Sequence, residues 1–188
     1  MTRIPLLDIA PVTLETAEDS TKAILSDTKE RLGFIPNMYG YLGKFPPILN
    51  GYVTAYNDFR ELAGFTPAEQ ETVFLTVSRI NDCHYCVAAH SMLADKMSGV
   101  PGDSLAALRK GRPLPDVKLQ AVAKFTESMV TTRGNPGKAA VDEFLAAGFE
   151  EKHVFGIILA IACKTFSNFV NHLSATPVDE MFASYAVE

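Results

Sequence analysis

The sequence predicts an all-α fold, and three observations carry that prediction. Apolar residues recur at i, i+3 and i+4 through nearly every segment of the 188-residue chain. The segments are separated by clear breakers, among them Gly33, Gly64, Gly99-Val100-Pro101-Gly102 and Gly134-Asn135-Pro136-Gly137. No stretch shows the period-two alternation of a half-buried strand. Nothing reads as a linker or a low-complexity tract, so the expectation is one domain over residues 1–188, with residues 1–15 as an irregular arm. That length suffices to bury a sizeable core.

Element by element, the first helix spans residues 17–32, with Ala23, Ile24 and Leu32 apolar and Gly33 as its stop. Phe34-Ile35-Pro36-Asn37 reads as a turn. After Pro46-Pro47 a helix carries Ile48, Leu49, Tyr52, Val53, Tyr56 and Phe59 on one stripe and ends at Gly64. Thr66-Pro67-Ala68-Glu69 is the strongest start signal: Thr66 as N-cap, Pro67 as first helical residue and Glu69 closing a capping box. The helix it opens runs to Ile80 with Val73, Phe74 and Val77 inside. Asn81-Asp82 interrupts, and Asp82 is read as N-cap of a new helix bearing Cys83, Cys86, Val87, His90 and Leu93. A short helix over 103–110 follows. Pro115 opens another with Leu119, Val122, Ala123, Thr126 and Met129 inward, and 138–147 is amphipathic up to Gly148. Residues 152–173 form the most apolar helix, read with Phe155, Ile158, Leu159, Ala162, Phe166, Phe169 and Leu173 facing inward. An offset of 82 residues sets Val73, Val77, Val87 and His90 on Phe155, Leu159, Phe169 and His172, a possible internal helical duplication.

Composition narrows the function classes. Seventeen basic against 22 acidic residues give a formal charge of −5, with no Lys/Arg run, so neither a nucleic-acid nor a membrane-surface footprint is present. No segment holds the roughly 18 uninterrupted apolar residues of a spanning helix. Met1-Thr2-Arg3-Ile4-Pro5 lacks the features of a signal peptide. Three cysteines, only two of them close together, do not make a secreted disulfide framework. The expected location is therefore a reducing cytoplasm.

Cys83-His84-Tyr85-Cys86, followed by His90, holds the chemistry. Two cysteines three apart can exchange between dithiol and disulfide, and on one helical turn both sulfurs share a face with a histidine one turn on. Redox chemistry and metal binding are both open to such a stripe. Cys83 is expected in the first turn, where the positive helix end favours a thiolate, and His90 can take a thiol proton. Glu71 stands 12 residues before Cys83 on the preceding helix; it could face the dithiol or merely complement its own helix dipole.

Glu71, Cys83-x-x-Cys86 and His90, with an apolar helix between, resemble the signature of the alkylhydroperoxidase D-like family in the carboxymuconolactone decarboxylase superfamily. Thr66-Pro67-Ala68-Glu69 and Val87-Ala88-Ala89-His90-Ser91 agree with it, and Leu32-Gly33-Phe34-Ile35-Pro36-Asn37 is similar to the branch called peroxidase-related. The likeness covers about residues 30–175. It implies a helical fold assembling as homotrimers or homohexamers, and a dithiol peroxidase that reduces hydrogen or alkyl peroxides. By that pattern Cys86 attacks the peroxide, Cys83 donates a proton and then resolves the sulfenic acid as a disulfide, and His90 with Glu71 relays protons. It implies no metal or organic cofactor, only an external dithiol or thioredoxin-type reductant.

One position departs from the pattern: the family's histidine immediately before the second cysteine is Tyr85 here. His84 stands one residue earlier, turned by about 100°, and reads as a partly exposed helix-start residue. Other readings of the same residues are a disulfide reductase, a redox sensor without fast turnover, and a zinc module in which Cys83, Cys86 and His90 are joined by His84, Cys163 or His172. Lactone decarboxylation is disfavoured, since the relatives that perform it lack the dithiol. Cys163 reads as a small buried hydrophobe, His172 as a helix C-terminal residue, and Tyr52 and Tyr56 as lining a pocket or an oligomer face.

Overall fold

The computed structural model describes residues 4–187. Among them are nine α-helices and a closing 3-10 helix, with no strand: α1 Asp19–Leu32, α2 Asn37–Leu42, α3 Pro46–Leu62, α4 Pro67–Ile80, α5 His84–Lys96, α6 Gly102–Lys110, α7 Val117–Thr131, α8 Lys138–Ala146, α9 Glu151–Ser174 and the 3-10 turn Glu180–Tyr185. Residues 4–18 carry no helix; the first three residues of the expected arm lie outside the described ones.

α4 is the axis of the molecule. Thr66 and Glu69 form the reciprocal capping box that the sequence indicates, with the Glu69 N–H donating to Thr66 Oγ1 at 3.4 Å and the Thr66 N–H to Glu69 Oε2 at 2.8 Å. Every residue from 69 to 78 is buried, because α5, α7 and α9 all pack against this helix and α6 closes one end. The larger core joins α2, α3, α4, α5, α7 and α9 through Leu49, Phe59, Phe74, Val122 and Ile157. A smaller one, with Leu75, Val87, Leu105 and Leu119, lies beneath α6.

Four details differ from the sequence expectation. Asn37 opens the short helix α2, with Pro36 as its N-cap, where a turn alone is expected. The buried face of α1 is Thr21, Leu25 and Thr28, while Leu32 is exposed. Asp82 is not the N-cap of α5. It sits at φ 54 as the residue that ends α4, and Cys83 caps α5. α9 is turned the other way round from the predicted face. Phe155, Ile158, Phe169 and Leu173 are exposed, whereas Gly156, Ala160, Cys163, Lys164, Ser167, Asn168 and Asn171 are buried. Periodicity locates the apolar stripe but not the side on which the rest of the chain packs. Here α9 must approach α3 closely and supply polar groups to the interior, so small and polar residues face in. A Cβ at Gly156 would lie 2.8 Å from Ala63 Cβ, a contact only glycine avoids.

By length and mean hydropathy (1.5) α9 could cross a bilayer, yet its buried side carries Lys164 and two asparagines and packs on α2, α3 and α4. The 82-residue echo sets two separate helices, α4 and α5, against this single continuous one.

Candidate active site

The junction between α4 and α5 places the two cysteines. The Cys83 N–H bonds the Ser78 carbonyl at 2.9 Å and the Asp82 N–H bonds the Arg79 carbonyl at 3.0 Å, the paired bonds of a Schellman motif with a left-handed residue at the turn. Asp is among the few non-glycine residues that tolerate that conformation. Cys83 is thus the last residue of one helix motif and the N-cap of the next, and Cys86 falls in the first turn of α5. Both sulfurs accept from the Asn171 amide of α9, at 3.6 Å for Cys83 and 3.3 Å for Cys86. The Cys83 thiol in turn hydrogen-bonds the Cys86 sulfur, and Ser167 Oγ lies 3.8 Å from it.

From Cys86 a line of buried polar groups runs inward. Lys164, on α9 and 1% exposed, hydrogen-bonds Cys86 and lies with Nζ 2.9 Å from His90 Nε2. His90 Nδ1 is 2.8 Å from Glu71 Oε2. An ammonium only donates and a carboxylate only accepts, so the imidazole is the neutral tautomer that accepts at Nε2 and donates at Nδ1. The other Glu71 oxygen accepts from Arg60 of α3. Arg60 also donates to Gln70 Oε1 (3.0 Å) and to the Tyr56 hydroxyl (2.8 Å), and lies 4.8 Å over both the Tyr56 and Phe74 rings.

Charge accounting then fixes the protonation states. Burial alone would raise the Glu71 carboxyl, but the bonds from His90 and Arg60 outweigh it and hold the group below the ordinary carboxylate range. Burial, reinforced by the Lys164 charge, pushes the His90 imidazole down, so it stays neutral. Arg60 balances Glu71, leaving Lys164 as a buried cation with no carboxylate paired to it among the described residues. The counter-ion is Cys86. Burial opposes its ionisation, but the bond from the Cys83 thiol and the charge of Lys164 bring it well below the usual thiol value. Burial pulls Lys164 the other way, yet the Cys86 charge raises its pKa. Cys83 is pushed up, by burial first and by the Cys86 sulfur second, and remains a thiol. The pair is asymmetric: Cys86 is drawn toward the thiolate and Cys83 is held as the thiol.

Above Cys86 opens a cavity of about 540 Å³. Arg60, Glu71, His90 and Lys164 form its polar floor, and Tyr39, Tyr52, Met38, Met92 and Phe182 are among its walls. Tyr85 stands at the side, its hydroxyl donating to Asp179 at 2.5 Å. Asp179 in turn accepts from the Asn37 N–H at the start of α2.

The structure therefore brings together Glu71, Cys83, Cys86 and His90. It does not bring in His84, which is partly exposed and ion-paired with Asp82. His172 instead approaches the Asp82 carbonyl, 3.3 Å from Nε2. Cys163 is fully buried, its thiol facing the Tyr52 carbonyl and its pKa pushed up to about 12 by burial. Among the described residues no group of three or more His, Cys, Asp and Glu is arranged for a metal, and both nitrogens of His90 are already engaged. Sequence reasoning missed Lys164 and Arg60. A signal for Lys164 exists: it is the sole Asp, Glu, Lys or Arg between residues 153 and 174 of the most apolar helix, and lysine is rarely buried without an anion.

The sequence pattern of the Carboxymuconolactone decarboxylase family matches residues 46–125, which include Glu71, Cys83, Cys86 and His90 but not Lys164. No curated protein matches the chain. Among solved structures, it is similar to an alkylhydroperoxidase AhpD core, an uncharacterized peroxidase-related protein from Ralstonia eutropha JMP134 (17% identity, 95% of each chain covered, TM-score 0.82). It is also similar to an uncharacterized peroxidase-related protein from Silicibacter sp. TM1040 (23% identity, 95% of this chain and 93% of that one, TM-score 0.74). A third likeness is to the debrominase Bmp8, in a cysteine-to-alanine variant complexed with 2,3,4-tribromopyrrole (16% identity, 95% of each chain, TM-score 0.76). The chain thus has the helical fold of these structures over 95% of its length, and its dithiol segment matches the carboxymuconolactone decarboxylase family pattern.

Proposed function

We propose that the protein is a dithiol-dependent peroxidase. The observation that carries this reading is the buried Lys164 that shares with Cys86 a cavity large enough for an organic hydroperoxide, its charge favouring the Cys86 thiolate. The thiolate attacks the terminal peroxide oxygen, the O–O bond breaks, and Cys86 becomes a sulfenic acid. The leaving alkoxide or hydroxide takes a proton from the Lys164 ammonium, a buried acid that lines the same cavity. Cys83 then attacks the Cys86 sulfur. Its thiol proton and the sulfenic hydroxyl leave as water, and a disulfide remains. Lys164 is left neutral until the pair is reduced by an external dithiol, which restores one proton to Cys83 and one to Lys164. His90 and Glu71 hold the lysine in place, and Nε2 can share its proton as the charge moves. The reading includes a homo-oligomer, supported by the apolar outer face of α9.

The test is stopped-flow oxidation of the reduced protein by hydrogen peroxide and by cumene hydroperoxide, followed by steady-state turnover with dithiothreitol. The expected result is loss of two thiols per chain and sustained turnover, both abolished by Cys86→Ser. Full turnover in Cys86→Ser would overturn the reading, and stoichiometric oxidation without turnover would replace it by a redox sensor. Turnover of disulfide substrates with none of peroxides would assign a reductase instead.

A further inference from the structure

The two cysteines, both almost fully buried, line different cavities. Cys86 lines the 540 Å³ cavity and Cys83 does not. Cys83 lines a second cavity, of about 280 Å³, that Cys86 does not reach. His84, Asn171, His172, Thr176 and Val178 are among its walls, and Tyr85 is common to both cavities, forming the partition between them. None of the walls of this second cavity apart from Cys83, Tyr85 and Asn171 takes part in the site described above.

Two further observations concern what this second cavity meets. Asn171 is 95% buried as a residue, being 5% exposed, and spends its amide N–H groups on the cysteine sulfurs. Among the described residues its Oδ1 is buried with no hydrogen-bond partner, an unpaired acceptor on a residue that lines this cavity. The second observation concerns leaving groups. Thiol–disulfide exchange proceeds fastest when the displaced sulfur is the better-stabilised thiolate. Lys164 stands beside Cys86, and Cys83 has no cation in hydrogen-bond contact among its described partners. An incoming thiolate that attacks Cys83 therefore expels Cys86 into its stabilised state, whereas attack on Cys86 would expel the poorer leaving group and require the substrate cavity.

We propose that the Cys83-side cavity is the entry site of the reductant, a small dithiol that attacks the oxidised pair at Cys83 while peroxide enters from the Cys86 side. The reductant's thiol hydrogen-bonds Asn171 Oδ1, loses its proton to solvent, and its thiolate bonds to Cys83 Sγ. The Cys83–Cys86 bond breaks, and its electron pair stays on Cys86, beside Lys164, which takes up a proton. The reductant's second thiol, deprotonated in turn, attacks its own sulfur in the mixed disulfide. It leaves as a cyclic or intramolecular disulfide, and Cys83 recovers a proton. Two thiols are oxidised and one protein disulfide is reduced. The volume lies just below the ~300 Å³ at which sites for drug-sized ligands begin, which suits a slender dithiol. The inference rests on the dithiol cycle proposed above, but only on its reductive half.

The experiment separates the two halves. The disulfide is prepared with diamide, so the reductive arm runs whether or not peroxide is a substrate, and failure of peroxide to oxidise the wild type counts only against the peroxidase reading. First, oxidised wild type is treated with 2-mercaptoethanol, quenched with an alkylating agent and mapped by mass spectrometry. The expected product carries mercaptoethanol on Cys83 and the alkyl group on Cys86; the reverse arrangement overturns the proposal. Second, His172→Trp and Val178→Trp, each checked for folding by circular dichroism, narrow the second cavity. Reduction by dithiothreitol is expected to slow by about tenfold or more in at least one of them, as access to the attacked sulfur falls, with oxidation rates unchanged. Met97→Trp, in the wall of the Cys86-side cavity, is expected to slow oxidation by cumene hydroperoxide alone. If reduction is slowed by Met97→Trp and by neither of the other two, the reductant does not enter at Cys83.

Discussion

A buried lysine keeps its proton only beside an anion, because burial alone lowers an ammonium pKa, by up to several units. At Lys164 the candidate anions are few. Glu71 is committed to Arg60 and His90, so the charge facing Lys164 is the Cys86 sulfur. This makes the protonation of Cys86 depend on one residue of a different helix. In Lys164→Met, similar in length and apolar, burial acts on Cys86 without the cation, and its pKa should move upward. The sign follows for pH dependence. In the wild type the thiolate persists as pH falls below the ordinary cysteine value of about 8.5, and alkylation of Cys86 by iodoacetamide stays fast across pH 7–8.5. In Lys164→Met the rate should already fall through that range. Thiolate absorbance at 240 nm, titrated in a Cys83→Ser, Cys163→Ser background, checks the same shift directly. An unchanged curve in Lys164→Met would remove Lys164 from the mechanism.

Helix ends decide where these residues stand, and they were legible in unequal measure. Thr66, Pro67 and Glu69 announce α4 in the sequence because a capping box is local: three residues satisfy one another's backbone donors without help from the rest of the chain. Asp82 was legible only in part. Its side chain suits an N-cap, but its backbone equally suits the left-handed turn that ends α4, and nothing local chooses between the two. The choice is made by α5 having to fold back on α4, with His172 reaching the Asp82 carbonyl. Cys86 and His90 were readable together because they stand one turn apart on one helix, whereas Glu71 joined them only through the family resemblance, its spacing alone fitting a helix-dipole role as well. Lys164 was not readable, since it meets His90 across 74 positions and only the packing of α9 on α4 and α5 joins them; Arg60 stands 11 positions before Glu71, but in the last turn of α3 a basic residue reads first as a complement to the helix dipole. The cap itself is testable. Thr66→Ala should lower stability by about 1 kcal/mol and the melting temperature by about 2–4 °C for a chain of this size, with the Cys86 alkylation profile unchanged. A melting temperature equal to the wild type's would show that the box contributes nothing to α4.

At the scale of the molecule, α9 reverses the usual arrangement of a surface helix: polar and small residues within, aromatic and aliphatic ones without. Phe155 is 70% exposed and Phe169 55%, with Ile158 and Leu173 on the same side. The chain's N-terminal segment joins them there, as the Leu6 and Leu7 N–H groups bond the Leu173 carbonyl. Single soluble chains rarely leave contiguous apolar surface of this kind uncovered. A second copy of the same helix is the occupant the resemblance leads one to expect, and the outward face of α9 is where it would pack. In sedimentation velocity the wild type should then run as an oligomer, and Phe155→Glu combined with Phe169→Glu as a monomer. A monomeric wild type, or an assembled double variant, would dissociate this face from assembly. The same preparation separates assembly from chemistry. Arg60, Glu71, His90, Lys164 and both cysteines come from one chain, so the charges that set the Cys86 thiolate do not need a neighbour. The Cys86 titration of the monomeric variant should therefore match the wild type. If it moves toward the Lys164→Met curve instead, contacts on the outer face of α9 are holding Lys164 on the inner one.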